Sequence, residues 1–319
     1  MRRNAAPAIH YRVEVANLHA HLFTVTLTVA QPATRQTLRL PVWIPGSYLV
    51  REFAKNLQNL QCRQGKRKLE VQQLDKASWQ MDCKPGEPLV MQYEVYANDP
   101  SVRTAWLDAD RGFFNGTSLC LQVDGQCDTP HQLELVAGEY MDDWSVATSL
   151  GSVKVNKRGF GGYCADNYDT LVDCPVEMGP FWSGNFTACG IPHRFVVAGA
   201  PPSFDGAQLL ADSQAICEAE IRFWHAGCTK KNSKTGSKDE GQSPIPYRSY
   251  VSVSYTHLRA HETPEHLVCR LLLEKKKEQT PLTQTKIKIN WKFNTPTTNY
   301  NTNQQLNHSH EKINTTKYN

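Results

Sequence analysis

Histidine–glutamate pairs at short spacing are the residues of this sequence best suited to chemistry. His-Glu-x-x-His on a helix would place two imidazoles on one face to bind zinc, with the glutamate as general base for the attacking water. The 319 residues do not contain that pattern, but three stretches approach it. His261-Glu262-Thr263-Pro264-Glu265-His266 puts three residues between the glutamate and the second histidine, and a proline inside the helix it would need. His310-Glu311-Lys312-Ile313-Asn314 has asparagine where the second histidine belongs. His257 and His261 share i, i+4 spacing with Glu265 four further on, a metal face only within a real helix. We read none of the three as a zinc site.

The other polar candidates are weaker. Phe113-Phe114-Asn115-Gly116-Thr117-Ser118 reads as a polar turn between an aromatic pair and an apolar strand, its Asn and Gly supplying positive φ. Glu177 is a single carboxylate on a strand, and His193 follows Pro192 at a strand start; both read as structural. Pro41 to Phe53 packs two prolines, a glycine and three aromatics around the turn Pro45-Gly46. Such a turn would press Trp43, Tyr48 and Phe53 against a core. Arg51 and Glu52 follow it, and a surface pair of that kind contributes ~0–1 kcal/mol.

The elements that must carry these residues are mostly strands. Tyr11, Val13 and Val15, then Phe23, Val25, Leu27 and Val29, alternate at period two, as two half-buried antiparallel strands do. Leu38-Leu40-Val42, Leu89-Met91-Tyr93-Val95, Leu119-Leu121-Val123 and Leu133-Leu135 repeat the pattern. Short alternating runs separated by Gly, Pro and Asp predict a mainly β fold, a β-sandwich over residues 9–170. Leu171 to Cys174 and Arg194 to Ala198 continue as strands. A helix then opens at Asp205, with Gln208 completing a capping box and Leu209, Ile216, Ala219 and Phe223 on one face. Strand followed by helix marks residues 171–228 as the start of an α/β domain.

Composition narrows the function classes. A formal net charge of +4 is too small to argue for a nucleic-acid partner. No run approaches the ~20 apolar residues of a membrane span, and Met1-Arg2-Arg3 leads into no apolar export segment. Ten cysteines occur at irregular spacings without Cys-x-x-Cys, so most read as reduced thiols of a soluble, cytoplasmic protein.

Trp43-Ile44-Pro45-Gly46-Ser47-Tyr48-Leu49-Val50-Arg51-Glu52-Phe53 resembles the signature of the glycyl aminopeptidase family, zinc metallopeptidases with a C-terminal PDZ domain. Ser101 to Leu107, Gly112 to Leu119, Asp173 to Gly179 and Ser203 to Gly206 agree with it in the same order, so the resemblance spans about residues 9–227. It implies an N-terminal β-sandwich followed by the opening of a thermolysin-like catalytic domain. For an intact member it implies zinc, a peptide substrate and cleavage next to a small N-terminal Gly or Ala. In related two-domain aminopeptidases the β domain lends a loop to the active-site cleft. By that analogy Asn115, Gly116 and Thr117 line the cleft and help hold the substrate's amino terminus.

Residues 229–319 depart from this character. Lys, Ser, Gly and Thr dominate 229–245, a linker composition, and the chain beyond Pro281 is rich in Thr, Asn and Lys. Val253 to Thr263 resembles a translated DNA-sequencing adapter, which marks this tail as an assembly artefact. The chain then reads as a fragment without its zinc motif, and hence inactive. The alternative is a non-catalytic β-sandwich binding module with Trp43 to Phe53 as its contact surface, or a short form that regulates a full-length relative.

Overall fold

The computed structural model describes residues 8–44, 49–139, 141–225 and 250–255. Contacts divide the chain into Met1–Leu258 and Arg259–Asn319, and every described residue belongs to the first unit. The near-motifs at His257, His261, His266 and His310 lie outside the described residues, as does Tyr48.

Most of the period-two runs form strands as expected, and the fold is mainly β. β1 (Ile9–Asn17) and β2 (Leu22–Val29) pair antiparallel with Ile9 opposite Val29. Their inward residues Tyr11, Val13, Phe23, Val25, Leu27 and Val29 are buried. β8 (Leu89–Tyr96) lies on the other side of β2, and β12 (His131–Val136) runs parallel to β1. β4 (Leu57–Gln64) and β5 (Arg67–Leu69) extend one edge, and β15 (Gly161–Ala165) and β14 (Gly151–Val155) the other, giving eight strands.

Two four-stranded sheets share a core with the inner face of this large one. The first has the order β11 (Gln122–Val123), β3 (Arg35–Arg39), β7 (Ser78–Asp82), β6 (Gln72–Asp75). The second is β13 (Ser145–Ala147), β16 (Val176–Gly179), β10 (Gly112–Phe114), β9 (Ala105–Leu107). Leu27 of the large sheet, Leu38 and Trp79 of the first small sheet, and Phe114 and Val176 of the second belong to one buried cluster. Phe23 meets Phe114 edge to face at 5.7 Å, an arrangement favoured by the ring quadrupoles. Cys62, Cys83 and Cys120 are buried thiols, and burial pushes Cys62 and Cys120 up to about 12, where they stay protonated.

Beyond the sandwich, β17 (Trp182–Ala188) and β18 (Ile191–Ala198) form a hairpin, and α3 (Gly206–Trp224) follows. The Asp205 side chain caps this helix by accepting from Gln208 N at 2.9 Å. Gln208 does not complete the box; its amide donates forward to Asp212. The buried face is also displaced from the expected one. Leu210 lies over Gly184 of β17 and Ile221 is buried, whereas Phe223 is 75% exposed. Leu209 and Leu210 are both apolar, so the pattern alone does not choose between the two faces. Tyr250–Tyr255, inside the segment read as tail, forms β19 parallel to β18. Its alternating Tyr-Val-Ser-Val-Ser-Tyr is a strand pattern that the surrounding linker composition masks.

Three further expectations are corrected. Leu119-Leu121-Val123 is not a strand: one helical turn ends at Leu119 and only Gln122–Val123 pairs. Leu171 to Cys174 is not a strand either, because Asn167 caps a short helix, α2 (Tyr168–Asp173), accepting from Thr170 N at 2.7 Å. Trp43 does not enter the core and is 56% exposed, while Phe53 and Ile44 are buried.

His131 is fully buried between the rings of Tyr11 and Tyr168, its Nδ1 on Thr129 O at 2.6 Å. Burial holds its pKa below the ordinary 6.5, so the folded state resists protonation that the unfolded chain accepts. Stability is therefore full above that pH and falls as acid is added below it, by at most about 1.4 kcal/mol per pH unit. His131→Phe should flatten this acid limb in urea midpoints measured from pH 7.5 to 5. His10, also lowered by burial, keeps a residual slope.

Candidate functional site

The Asn115 region is a largely buried turn between β10 and β11. Asn115 has extended φ, −91°, and caps α1 (Gly116–Leu119) by accepting from Thr117 N at 3.2 Å and from Thr117 Oγ1 at 2.7 Å. The expected positive φ is thus absent; the asparagine serves as a cap. Glycine follows for a different reason. A Cβ at Gly116 would stand 3.0 Å from Val172 Cα and 3.2 Å from Leu171 O of α2, so any larger residue would push the two turns apart by a few tenths of an ångström.

One turn of helix leaves most of its carbonyls without helical partners. Here three tyrosines supply them. Tyr93 OH of β8 donates to Leu119 O at 2.6 Å, Tyr168 OH of α2 to Cys120 O at 2.7 Å, and Tyr11 OH of β1 to Leu121 O at 2.6 Å. Burial raises all three phenols well above 10, so each stays protonated and remains a donor. The front of the turn is tied to the loop before β9: Asn115 N donates to Thr104 O at 2.9 Å, and Ser118 Oγ donates to Asn115 O and Thr104 O. On a third side η1 (Phe53–Asn56), one 3-10 turn, abuts α1.

Arg111 and Glu177 fix the strand leading into the turn. Arg111 Nε and Nη2 donate to the two Glu177 oxygens at 2.7 and 2.8 Å, and Glu177 is fully buried. Glu177 is therefore half of a buried ion pair joining β16 to the start of β10. Burial pushes its carboxyl up, against the pull of the Arg111 guanidinium. Asp108 closes the β9–β10 turn by accepting from Arg111 N, Asp110 N and Trp106 Nε1.

The chemical result is narrow. Gly116 and Thr117 are buried, and of the three expected site residues only Asn115 is partly exposed. Its oxygen is committed to the cap, so the group left to face a ligand is the Nδ2 amide, a donor. Ser118 is buried and donates to carbonyls, which removes it as a nucleophile. His193, far along the chain, is buried with Nδ1 on Ile191 O and its ring stacked on Phe186 at 4.9 Å. Arg51 N closes the Val42 loop on Val42 O, and Glu52 pairs with Lys76 at the surface. Among the described residues, no three His, Cys, Asp or Glu side chains gather to hold a metal ion. The described residues supply no zinc ligand set.

Residues 10–180 match the family model of the peptidase M61 N-terminal domain. The chain belongs to the peptidase M61 family. Among solved structures, this M61 chain is similar to an aminopeptidase N family protein from Idiomarina loihiensis, with 38% identity and a TM-score of 0.67. That match covers 76% of this chain and 38% of the other. An M1 zinc metallopeptidase from Deinococcus radiodurans, bound to a Tyr-Ser-Ala substrate, shares 11% identity at a TM-score of 0.46, over 77% of this chain and 55% of that one. Legionella pneumophila aminopeptidase A, in complex with aspartic acid, shares 9% identity at 0.45, over 77% and 28%. The M61 chain thus spans well under two thirds of the length of each of these proteins. No curated protein matches it.

The tyrosines and Arg111 were not singled out from sequence. A tyrosine on the buried face of a period-two strand, as at positions 11 and 93, does signal that a hydroxyl needs a partner. Tyr93→Phe should leave Leu119 O unpaired and lower stability by about 1–3 kcal/mol. Glu177→Ala, which strands a buried guanidinium, should cost about 3–5 kcal/mol, and replacing both partners by leucine and methionine far less. Asn115→Ala should cost about 1 kcal/mol, and Asn115→Asp, which keeps the capping oxygen, close to none. Urea unfolding followed by tryptophan fluorescence checks all three.

Proposed function

We propose that this M61 chain is the N-terminal part of a zinc-dependent aminopeptidase acting on peptides with a small N-terminal residue, Gly or Ala. The observation that carries the reading is the family match over residues 10–180, together with the 38% identity to the Idiomarina protein. On this reading residues 9–170 form the β domain and 171–228 the opening of the catalytic domain. Residues 229–319 are foreign to the enzyme, and the intact protein is cytoplasmic and carries a PDZ domain that takes peptide C-termini by strand addition. Zinc in the intact protein would polarise the scissile carbonyl and activate water.

The β domain's share of the work is positioning. Asn115, with Gly116 and Thr117 behind it, presents one rigid donor at the edge of the substrate cleft. A donor suits a peptide carbonyl oxygen; an N-terminal ammonium would need an acceptor, and the Asn115 oxygen is already engaged. The analogy with an amino-terminus clamp therefore shifts to a clamp on the substrate's backbone.

The chain as it stands has no His-Glu-x-x-His and is proposed to be inactive. Incubation with glycine and alanine p-nitroanilides and added zinc should release no nitroaniline above the metal-only blank. Turnover that is zinc-dependent and abolished by a chelator would show that the catalytic groups lie elsewhere in this sequence.

A further inference from the structure

We propose that the β4–β5 hairpin is a docking tip for an anionic phospholipid surface. The hairpin turns at Gly65-Lys66, with Gln64 opposite Arg67 and Arg63 opposite Lys68. Gly65 takes the left-handed φ, +53°, that a two-residue turn demands. In such a hairpin the closing pair is hydrogen-bonded, so Arg63 and Lys68 form the closer kind of pair, with Cα atoms about 4.5 Å apart. Two like charges directly opposite on one face weaken a ladder unless an anion lies against both. Lys66 stands at the turn, Arg67 on the other face and Lys84 on the adjoining β7–β8 loop, and all five residues are exposed. The acidic residues around them are Glu70, Glu87, whose Oε1 lies beside Gly65, and Asp82, which pairs with Arg35. Among the described residues, no carboxylate forms an ion pair with any of the five cations.

The tip is held rigid from inside. Gln64 is 1% exposed; its amide donates to Lys84 O at 3.1 Å and Glu87 O at 2.7 Å, and its oxygen accepts from Lys84 N at 2.8 Å. This buried side chain ties the hairpin to the β7–β8 loop and brings Lys84 beside it, so the cations are gathered before any ligand binds. Their arrangement selects the ligand. Charges on both faces and at the turn suit end-on contact with an extended anionic surface, whereas a single peptide strand would meet one face only. β5 closes one end of the large sheet but is three residues long, too short to template an added strand. Residues 57–70 and 83–88 contain no aromatic ring to stack on a base. None of their large apolar side chains is exposed, so the contact is ionic and salt-sensitive.

The test is flotation of the 319-residue chain with unilamellar vesicles of phosphatidylcholine, alone or with about 30% phosphatidylserine. Binding is expected to the phosphatidylserine vesicles only, and should weaken as salt is raised. Each cation at the surface is expected to contribute about fivefold, so Arg63→Gln combined with Lys68→Gln should lower the partition coefficient about thirtyfold. That double variant also removes the like-charge pair, so its urea midpoint should equal or exceed that of the parent. Lys66→Gln, at an exposed turn where folding is not at risk, should lower partition about fivefold. Equal binding to the two kinds of vesicle overturns the proposal. Binding that neither hairpin variant weakens also overturns it, and would assign the contact to the lysines of residues 229–319. A short DNA duplex titrated in parallel decides between polyanions. Duplex binding that is stronger than vesicle binding at equal accessible phosphate, and is lost in the hairpin variants, assigns the tip to nucleic acid and overturns the lipid reading.

Discussion

Three consecutive carbonyls, those of Leu119, Cys120 and Leu121, lie in the core without a strand partner or a helix to continue into. Each would cost about 1–3 kcal/mol if left unpaired, enough together to cancel much of a domain's net stability. Tyrosines from three different elements, β8, α2 and β1, meet them one for one. Each ring also fills core volume, so one side chain both packs and donates. The interaction is therefore a constraint on the whole sandwich: β1, β8 and α2 must hold their registers, or the segment between them loses its partners. The Asn115 turn inherits its rigidity from this arrangement.

A second constraint acts from the opposite side. A buried arginine–carboxylate pair adds little net stability compared with an apolar pair of the same volume, because both ions lose their water. Its value is geometric. The two parallel bonds from Arg111 to Glu177 allow one relative placement of β10 and β16, where apolar contact would tolerate sliding. Phe113 stands opposite Glu177 in that register, and Asn115 follows two residues later. Tyrosines behind and an ion pair beside thus hold a single turn whose exposed polar group is one amide.

Periodicity made the large sheet legible. Strands β1, β2, β8 and β12 have one wet and one dry face, and alternation records that difference directly. The same signal misled at Leu119-Leu121-Val123, because a buried irregular segment clasped by side chains also shows alternate apolar residues. At Tyr168–Asp173 the Asn167 cap was the informative residue, and the apolar pair Leu171-Val172 outweighed it. Asn115 was singled out by resemblance, but its role as a cap needed coordinates, since positive φ and N-capping favour the same residue type. Trp43 was misplaced because a large aromatic ring reads as core whether or not the chain folds it inward. The pairing of Arg111 with Glu177, 66 positions apart, leaves no local trace at all.

These physical facts bear on how labour is divided in an M61 enzyme. A rigid amide donor lowers the entropy of orienting a peptide but does not change protonation states, so it cannot substitute for a base or a metal. On the proposed function, a β domain built this way contributes alignment, and a second domain brings the reacting groups. The buried tyrosines and ion pair hold Asn115 in place.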